Sequence, residues 1–260
     1  MKYDGTHYSG WQFQKNAETV QRCIESALKR ITGRKVKLTG AGRTDSGVHA
    51  IGQVANFKTR SKLAPNKIKD ALNSSLAEDI LIVSAESAPL EFDSQRSARS
   101  KRYRYTVTTA RFTDPFIRHF AARFSYPLNM RSMRRAAKVL TGRHDFKAFQ
   151  AAGSSELNMV RPFDKSSGRM PSLSRPSLSR GTVRTIKKIK IEKRGDLVYI
   201  DLWADGFLYN MVRTIAGTLL EIGRGKMPGE SIKEILLKRE RKSAGPTAPA
   251  KGLCLMNIEY

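Results

Sequence analysis

The chain has 260 residues and carries 48 Lys plus Arg against 23 Asp plus Glu, a formal net charge of +25. A hydrophobic share of 40% over this length can bury a core, two cysteines cannot build a disulfide scaffold, and no apolar run approaches the ~18 residues of a membrane span. What remains is a soluble, intracellular, strongly cationic protein whose first expected partner is a polyanion, nucleic acid before others.

In chain order, Met1-Lys2-Tyr3-Asp4-Gly5 lacks the apolar core of a signal peptide. Val20, Ile24, Ala27, Leu28 and Ile31 recur at helical spacing, and Gly33 stops that helix. A strand over 36–38, a glycine-punctuated loop over 40–47 and a strand over 51–57 follow. Pro65 opens a second helix with Ile68, Ala71, Leu72 and Leu76 on one face. Short apolar strands are expected over 80–85 and 103–109.

The second half repeats the alternation. A strand over 119–126 precedes a helix carrying Met133, Ala136, Ala137 and Leu140. Strands over 183–192 and 197–204 precede a long helix over 208–222, a further helix over 228–238 and a last strand over 253–260. The pattern is α+β, in two halves, 1–105 and 106–260, without a detectable repeat between them. A Ser/Pro/Gly/Arg-rich stretch over 153–181 interrupts the second half. It holds the tandem Pro171-Ser172-Leu173-Ser174-Arg175 and Pro176-Ser177-Leu178-Ser179-Arg180. It reads as a mobile basic insertion, either inert or gripping RNA phosphate.

Lys and Arg are spread from Lys29 to Lys251, so the folded surface itself is expected to be basic. Cys23, Cys254 and the four His (His7, His49, His119, His144) are not at metal-ligand spacing, so no metal site is expected. The loop over 40–47 holds one acid. Arg43 and Asp45 stand two residues apart, so an extended backbone points them the same way. Taken alone, Thr44-Asp45-Ser46-Gly47 reads as an Asx turn with a solvated Arg43 beside it.

The whole string changes that reading. Gly40-Ala41-Gly42-Arg43-Thr44-Asp45-Ser46-Gly47-Val48-His49-Ala50 resembles the active-site motif of the TruA family of tRNA pseudouridine synthases. The resemblance runs in order along nearly the whole chain. It includes Tyr3-Asp4-Gly5, Tyr8-Ser9-Gly10-Trp11-Gln12, Thr19-Val20-Gln21, Lys101-Arg102-Tyr103-Arg104-Tyr105 and Gly142 with Asp145-Phe146 and Phe149. It continues through Thr182-Val183-Arg184-Thr185-Ile186, Phe207-Leu208-Tyr209-Asn210-Met211-Val212-Arg213 and Gly252-Leu253. Two departures stand out. Ser94-Gln95-Arg96 replaces the Ala-Arg pair usual before the Lys101–Tyr105 stretch, and the 153–181 stretch is longer and more basic than is usual.

The resemblance implies two α+β halves sharing one mixed, mostly antiparallel central sheet, with helices packed on it and a catalytic cleft between the halves. It implies a cytoplasmic, cofactor-free isomerase that acts as a homodimer on uridines 38, 39 and 40 of the tRNA anticodon stem-loop. Asp45 is then the nucleophile at C1′ and Arg213 its ion-pair partner. Arg43 fills the space left by a flipped uridine or binds the neighbouring phosphate, and Tyr103 stacks on the base and handles a proton at C5. On a strand, Lys101, Tyr103 and Tyr105 share one face, Arg102 and Arg104 the other. Tyr105, Phe207 and Leu253 read as core. The rival readings are a non-catalytic RNA-binding protein on the same scaffold and a metal-dependent nuclease, the latter short of acids near Asp45.

Overall fold

The computed structural model describes residues 1–151 and 181–260; the insertion expected over 153–181 lies, apart from Gly181, outside the described residues. The elements, in order, are β1 (Lys2–Tyr3), α1 (Val20–Thr32), β2 (Thr39–Gly40), β3 (His49–Ala50), β4 (Ala55–Asn56), α2 (Pro65–Ser75), β5 (Ile80–Leu81) and β6 (Ser100–Thr108). They continue with β7 (Ala122–Arg123), α3 (Met130–Val139), β8 (Gly142–Asp145), β9 (Val183–Arg194), β10 (Leu197–Ala204), α4 (Met211–Gly223), α5 (Ser231–Lys238) and β11 (Leu253–Glu259).

Among the described residues, the main sheet runs β5-β1-β3-β11-β6-β10-β9-β8, with β7 beside β6. Its pairs are antiparallel except β11 with β3 and β6 with β7. The expected mixed, mostly antiparallel α+β sheet is therefore present. Its seam is the last strand: β11 lies between β3 and β6, so the chain's end ties its first strands to its long central ones. The junction at 105/106 falls inside β6.

Helices cover the sheet through apolar stripes. Thr19 caps α1, its hydroxyl accepting from the Arg22 N–H, and Val20, Ile24, Ala27 and Leu28 are buried. Helix α4 is buried on nearly every side, as its apolar sequence predicts for a core helix. The Gly217 face of α4 lies against the Pro246 carbonyl, and the Gly245 N–H donates to Thr218 Oγ1 at 2.9 Å. The segment over 244–250 is thereby strapped onto α4. No helix among the described residues is long and apolar enough to cross a membrane.

Several strand expectations are corrected. The strand expected over 36–38 forms instead at Thr39–Gly40. Side chains of α1 satisfy the backbone at Leu38: its N–H donates to Glu25 Oε1 at 2.8 Å, and Gln21 Nε2 donates to its carbonyl at 3.0 Å. Of the strand expected over 51–57 only β4 forms: β3 ends at Ala50, before that range, and Gly52 turns the chain hard against the Met256 backbone. The strand over 80–85 stops at Leu81, since both backbone groups of Ile82 bond the Asn73 amide. That over 119–126 is only Ala122–Arg123. The helix expected from 208 starts at Met211, and that from 228 at Ser231.

Candidate active site

The loop over 41–48 is held from several sides. Gln53, fully buried, brackets Gly42: the Gly42 N–H donates to Gln53 Oε1 at 3.2 Å, and Gln53 Nε2 donates to the Gly42 carbonyl at 2.7 Å. The Tyr3 hydroxyl meets Thr44 Oγ1 at 2.8 Å, and the Trp11 N–H donates to the Thr44 carbonyl at 2.9 Å. Lys101 Nζ donates to the Ala41 carbonyl at 2.6 Å. A backbone turn closes the loop: the Val48 N–H donates to the Asp45 carbonyl at 3.1 Å, with Gly47 at φ +73°, a region L side chains rarely adopt. The turn needs no help from the Asp45 side chain, so the Asx-turn reading gives way and the carboxylate is left for other work.

That carboxylate meets Arg213. Burial alternates along the loop, with Thr44 inward and Arg43 and Asp45 outward. Arg213 Nη1 lies 3.4 Å from Asp45 Oδ2, and the two side chains are 17% and 24% exposed. Arg213 stands in the first turn of α4, where the helix dipole disfavours a cation. Three oxygens offset this: Nε donates to the Ala248 carbonyl at 2.8 Å, and Nη1 donates to Asn210 Oδ1 at 2.8 Å as well as to Asp45. Asn210 precedes α4 in the left-handed conformation, at φ 58°. Burial raises the Asp45 carboxyl above its ordinary pKa, and the Arg213 charge and hydrogen bond pull it partway back.

Tyr103 completes the group. It is buried, with its ring edge-on to Phe207 at 5.2 Å between centroids. Gly42 passes over its hydroxyl: a Cβ there would sit 3.3 Å from the Tyr103 oxygen. Burial, with Tyr3, Asp45 and Cys254 nearby, pushes the Tyr103 hydroxyl well above the ordinary tyrosine pKa. Burial, with Arg184 nearby, lowers that of the Lys101 ammonium.

Of the residues singled out in the sequence, the structure joins Asp45 and Arg213 directly, across 168 positions of chain, and sets Tyr103 close enough to feel the Asp45 charge. Arg43 is exposed beside them and makes no ion pair or side-chain hydrogen bond among the described residues. Tyr105 is core, its hydroxyl donating to the Pro249 carbonyl at 2.8 Å, and Leu253 is buried. Phe207 does more than fill core, since it braces Tyr103. Sequence reasoning gave no role to Gln53, Asn210 or the Ala248 carbonyl. An amide inside an otherwise apolar run was the available signal for Gln53; a backbone carbonyl leaves none. Among the described residues no three His, Cys, Asp or Glu side chains gather where a metal ion could be held.

Comparison with known proteins bears on this geometry. A family model described as tRNA pseudouridine synthase matches residues 1–97 and 172–260. The tRNA pseudouridine synthase A of Thermoanaerobacter sp. (strain X514) is 44% identical over 260 residues, covering 100% of this chain and 97% of that protein. Those of Acetivibrio thermocellus and Moorella thermoacetica are 43% and 42% identical, again over 100% of this chain and 97% of theirs. With Arg213 of α4 on Asp45 and the Tyr103 hydroxyl under Gly42 of the same loop, and with this likeness along its whole length, the chain belongs to the tRNA pseudouridine synthase family, isomerases that act on tRNA.

Proposed function

We propose that this chain isomerises uridine to pseudouridine at positions 38, 39 and 40 of the tRNA anticodon stem-loop, with Asp45 acting on C1′ of a flipped uridine. The observation that carries the reading is the Asp45–Arg213 contact at 3.4 Å, on the loop whose Gly42 passes over the Tyr103 hydroxyl. The N1–C1′ bond breaks, uracil turns within the cleft, and a C5–C1′ bond forms. Asp45 meets C1′ as positive charge develops there, either bonding to it or stabilising it, and is released when C5 bonds. The C5 proton leaves and N1 takes one up, so atoms and electrons balance without a cofactor.

Each neighbour has a task in this scheme. Arg213 keeps Asp45 ionised against the cost of burial. Tyr103 is the wall for the uracil ring, a contact worth roughly 1–3 kcal/mol per base. Its hydroxyl keeps its proton near neutrality, so it donates or relays and is not a standing phenolate. Arg43, exposed and unpaired among the described residues, occupies the vacated space in the RNA or holds the next phosphate. The protein works in the cytoplasm as a homodimer whose subunits share one tRNA. Pseudouridine mapping in tRNA before and after incubation tests the reading: new pseudouridine confined to positions 38–40 supports it. Tight tRNA binding with no new pseudouridine overturns it in favour of a non-catalytic RNA-binding protein.

A further inference from the structure

A polar cavity of about 650 Å³ opens where β6 begins, β9 begins and β10 ends. Three arginines line it. Arg96 and Arg99 come from the segment entering β6, and Arg143 comes from β8, where it pairs with Thr185 of β9. The cavity floor is fixed: the Thr185 N–H donates to Asp205 Oδ1 at 3.0 Å, and the Asp205 N–H donates to the Thr185 carbonyl at 3.2 Å.

Asp205 is the one acid lining the cavity among the described residues, and the acids nearest the arginines in sequence are engaged elsewhere. Asp93 Oδ1 accepts the backbone N–H groups of Gln95 and Arg96, both at 2.9 Å, and the Glu259 carboxylate takes the Ser100 hydroxyl. These bonds set the path of the chain and leave the guanidinium groups alone. None of Arg96, Arg99 or Arg143 makes an ion pair or a side-chain hydrogen bond among the described residues. Three arginines from two segments line the cavity against the single carboxylate of Asp205, an excess of positive charge that a bound anion relieves. Guanidinium forks match phosphate oxygens in bidentate fashion. The apolar wall residues, Ala98 and Val183, are too small to stack a base.

The cavity also lies near the proposed chemistry. Arg99 precedes Tyr103 by four residues, roughly 13 Å along an extended strand. Asp205 precedes Phe207, the brace of Tyr103, by two. Arg96, one place after Gln95, lines this cavity.

We propose that Arg96, Arg99 and Arg143 form a subsite for a single backbone phosphate of the RNA strand flanking the uridine held at Tyr103. This rests on the function proposed above, with RNA bound in the cleft.

The test uses the full chain and a tRNA transcript. Arg96→Gln, Arg99→Gln, Arg143→Gln and the triple variant are compared with the unsubstituted protein for affinity at several salt concentrations. The triple variant is expected to bind about tenfold or more weakly, in line with losing charge-assisted hydrogen bonds. Its log–log salt slope should fall by about 0.7–0.9 in total, the value for one phosphate. A fall two or three times larger means separate phosphates and overturns the shared subsite. An unchanged slope overturns it outright. A stem-loop RNA with one neutral methylphosphonate linkage beside the target uridine gives the second arm. The unsubstituted protein should lose affinity on it while the triple variant loses nothing further; equal losses for both overturn the assignment. Pseudouridine formation by the unsubstituted protein on the unmodified tRNA transcript is read separately. Its absence overturns the functional reading, while the slopes still decide the subsite.

Discussion

The two faces of β6 show how one short basic stretch, Lys101-Arg102-Tyr103-Arg104-Tyr105, can serve two ends. On the face away from the cleft, Arg104 grips Asp201 through Nε and Nη2, both at 2.9 Å, and Arg102 reaches the same carboxylate at 3.4 Å. Asp201 is almost fully buried. The guanidinium groups also lie over rings, Arg102 over Trp203 at 4.6 Å and Arg104 over Tyr199 at 4.9 Å. On the other face, Lys101 has no carboxylate partner among the described residues and holds the Ala41 carbonyl instead, while the Tyr103 hydroxyl lies under Gly42 of the Asp45 loop. A net charge of +25 therefore does not act as a uniform coat. Cations neutralised by a buried acid hold the sheet, while Lys101, without one among the described residues, holds the loop of Asp45.

The largest expected effect lies on the cleft side. Asp45→Asn should lower turnover on the order of 10⁴-fold or more, as loss of a nucleophile does, while tRNA affinity survives. The same substitution should stabilise the fold. The folded pKa of Asp45 is raised above its unfolded value. Ionised Asp45 therefore costs stability above the folded pKa and costs none below the unfolded one. The gain in Tm should appear as pH rises through the folded pKa and vanish in acid. A destabilised Asp45→Asn protein at neutral pH would contradict the electrostatics drawn here. In the unsubstituted enzyme the acid limb of the rate profile should stand above the range of an exposed aspartate. Arg213→Gln should move it higher still, because the Arg213 cation favours the ionised form.

A smaller loss is expected at the ring. Tyr103→Ala removes both the stacking surface and the brace against Phe207. It should cost about 1–3 kcal/mol of transition-state binding, roughly 5- to 150-fold in kcat/KM. Tyr103→Phe should recover most of this if the ring matters more than the hydroxyl. Single-turnover rates on a tRNA transcript distinguish the two; a Phe variant as slow as the Ala variant would move the role to the hydroxyl.

This division of labour was partly legible in the sequence. Period-two alternation in Lys101–Tyr105 predicts the two faces, and the resemblance carried by the colinear motifs implies one site for Asp45, Tyr103 and Arg213. Helices with apolar stripes, such as that of Ile24 and Leu28, were readable because their periodicity is local. Strands were misjudged where backbone groups bond to side chains in place of another strand, as at Leu38 with Glu25 and at Ile82 with Asn73. Which cation meets which acid was illegible for a different reason. Arg213 and Asp45 are 168 residues apart, and Asp201 and Arg104 are 97 apart. Such pairings depend on strand register and helix placement, which no local pattern encodes.

The smallest effect on activity, and a direct trial of the comparison, comes from the other face. Asp201→Asn removes the acid shared by Arg102 and Arg104 and leaves both cations beside each other. Breaking a buried pair costs about 3–5 kcal/mol. Both arginines are about 30% exposed at the side chain, so water takes up part of the loss, and about 1–3 kcal/mol is expected. Denaturant unfolding should show this at an unchanged m-value. Turnover and the salt slope for tRNA should stay as they were, because these arginines are held against the sheet by rings as well as by Asp201. A steeper salt slope in the variant would mean that freed arginines had found phosphate, and that the carboxylate alone had kept this face from binding RNA.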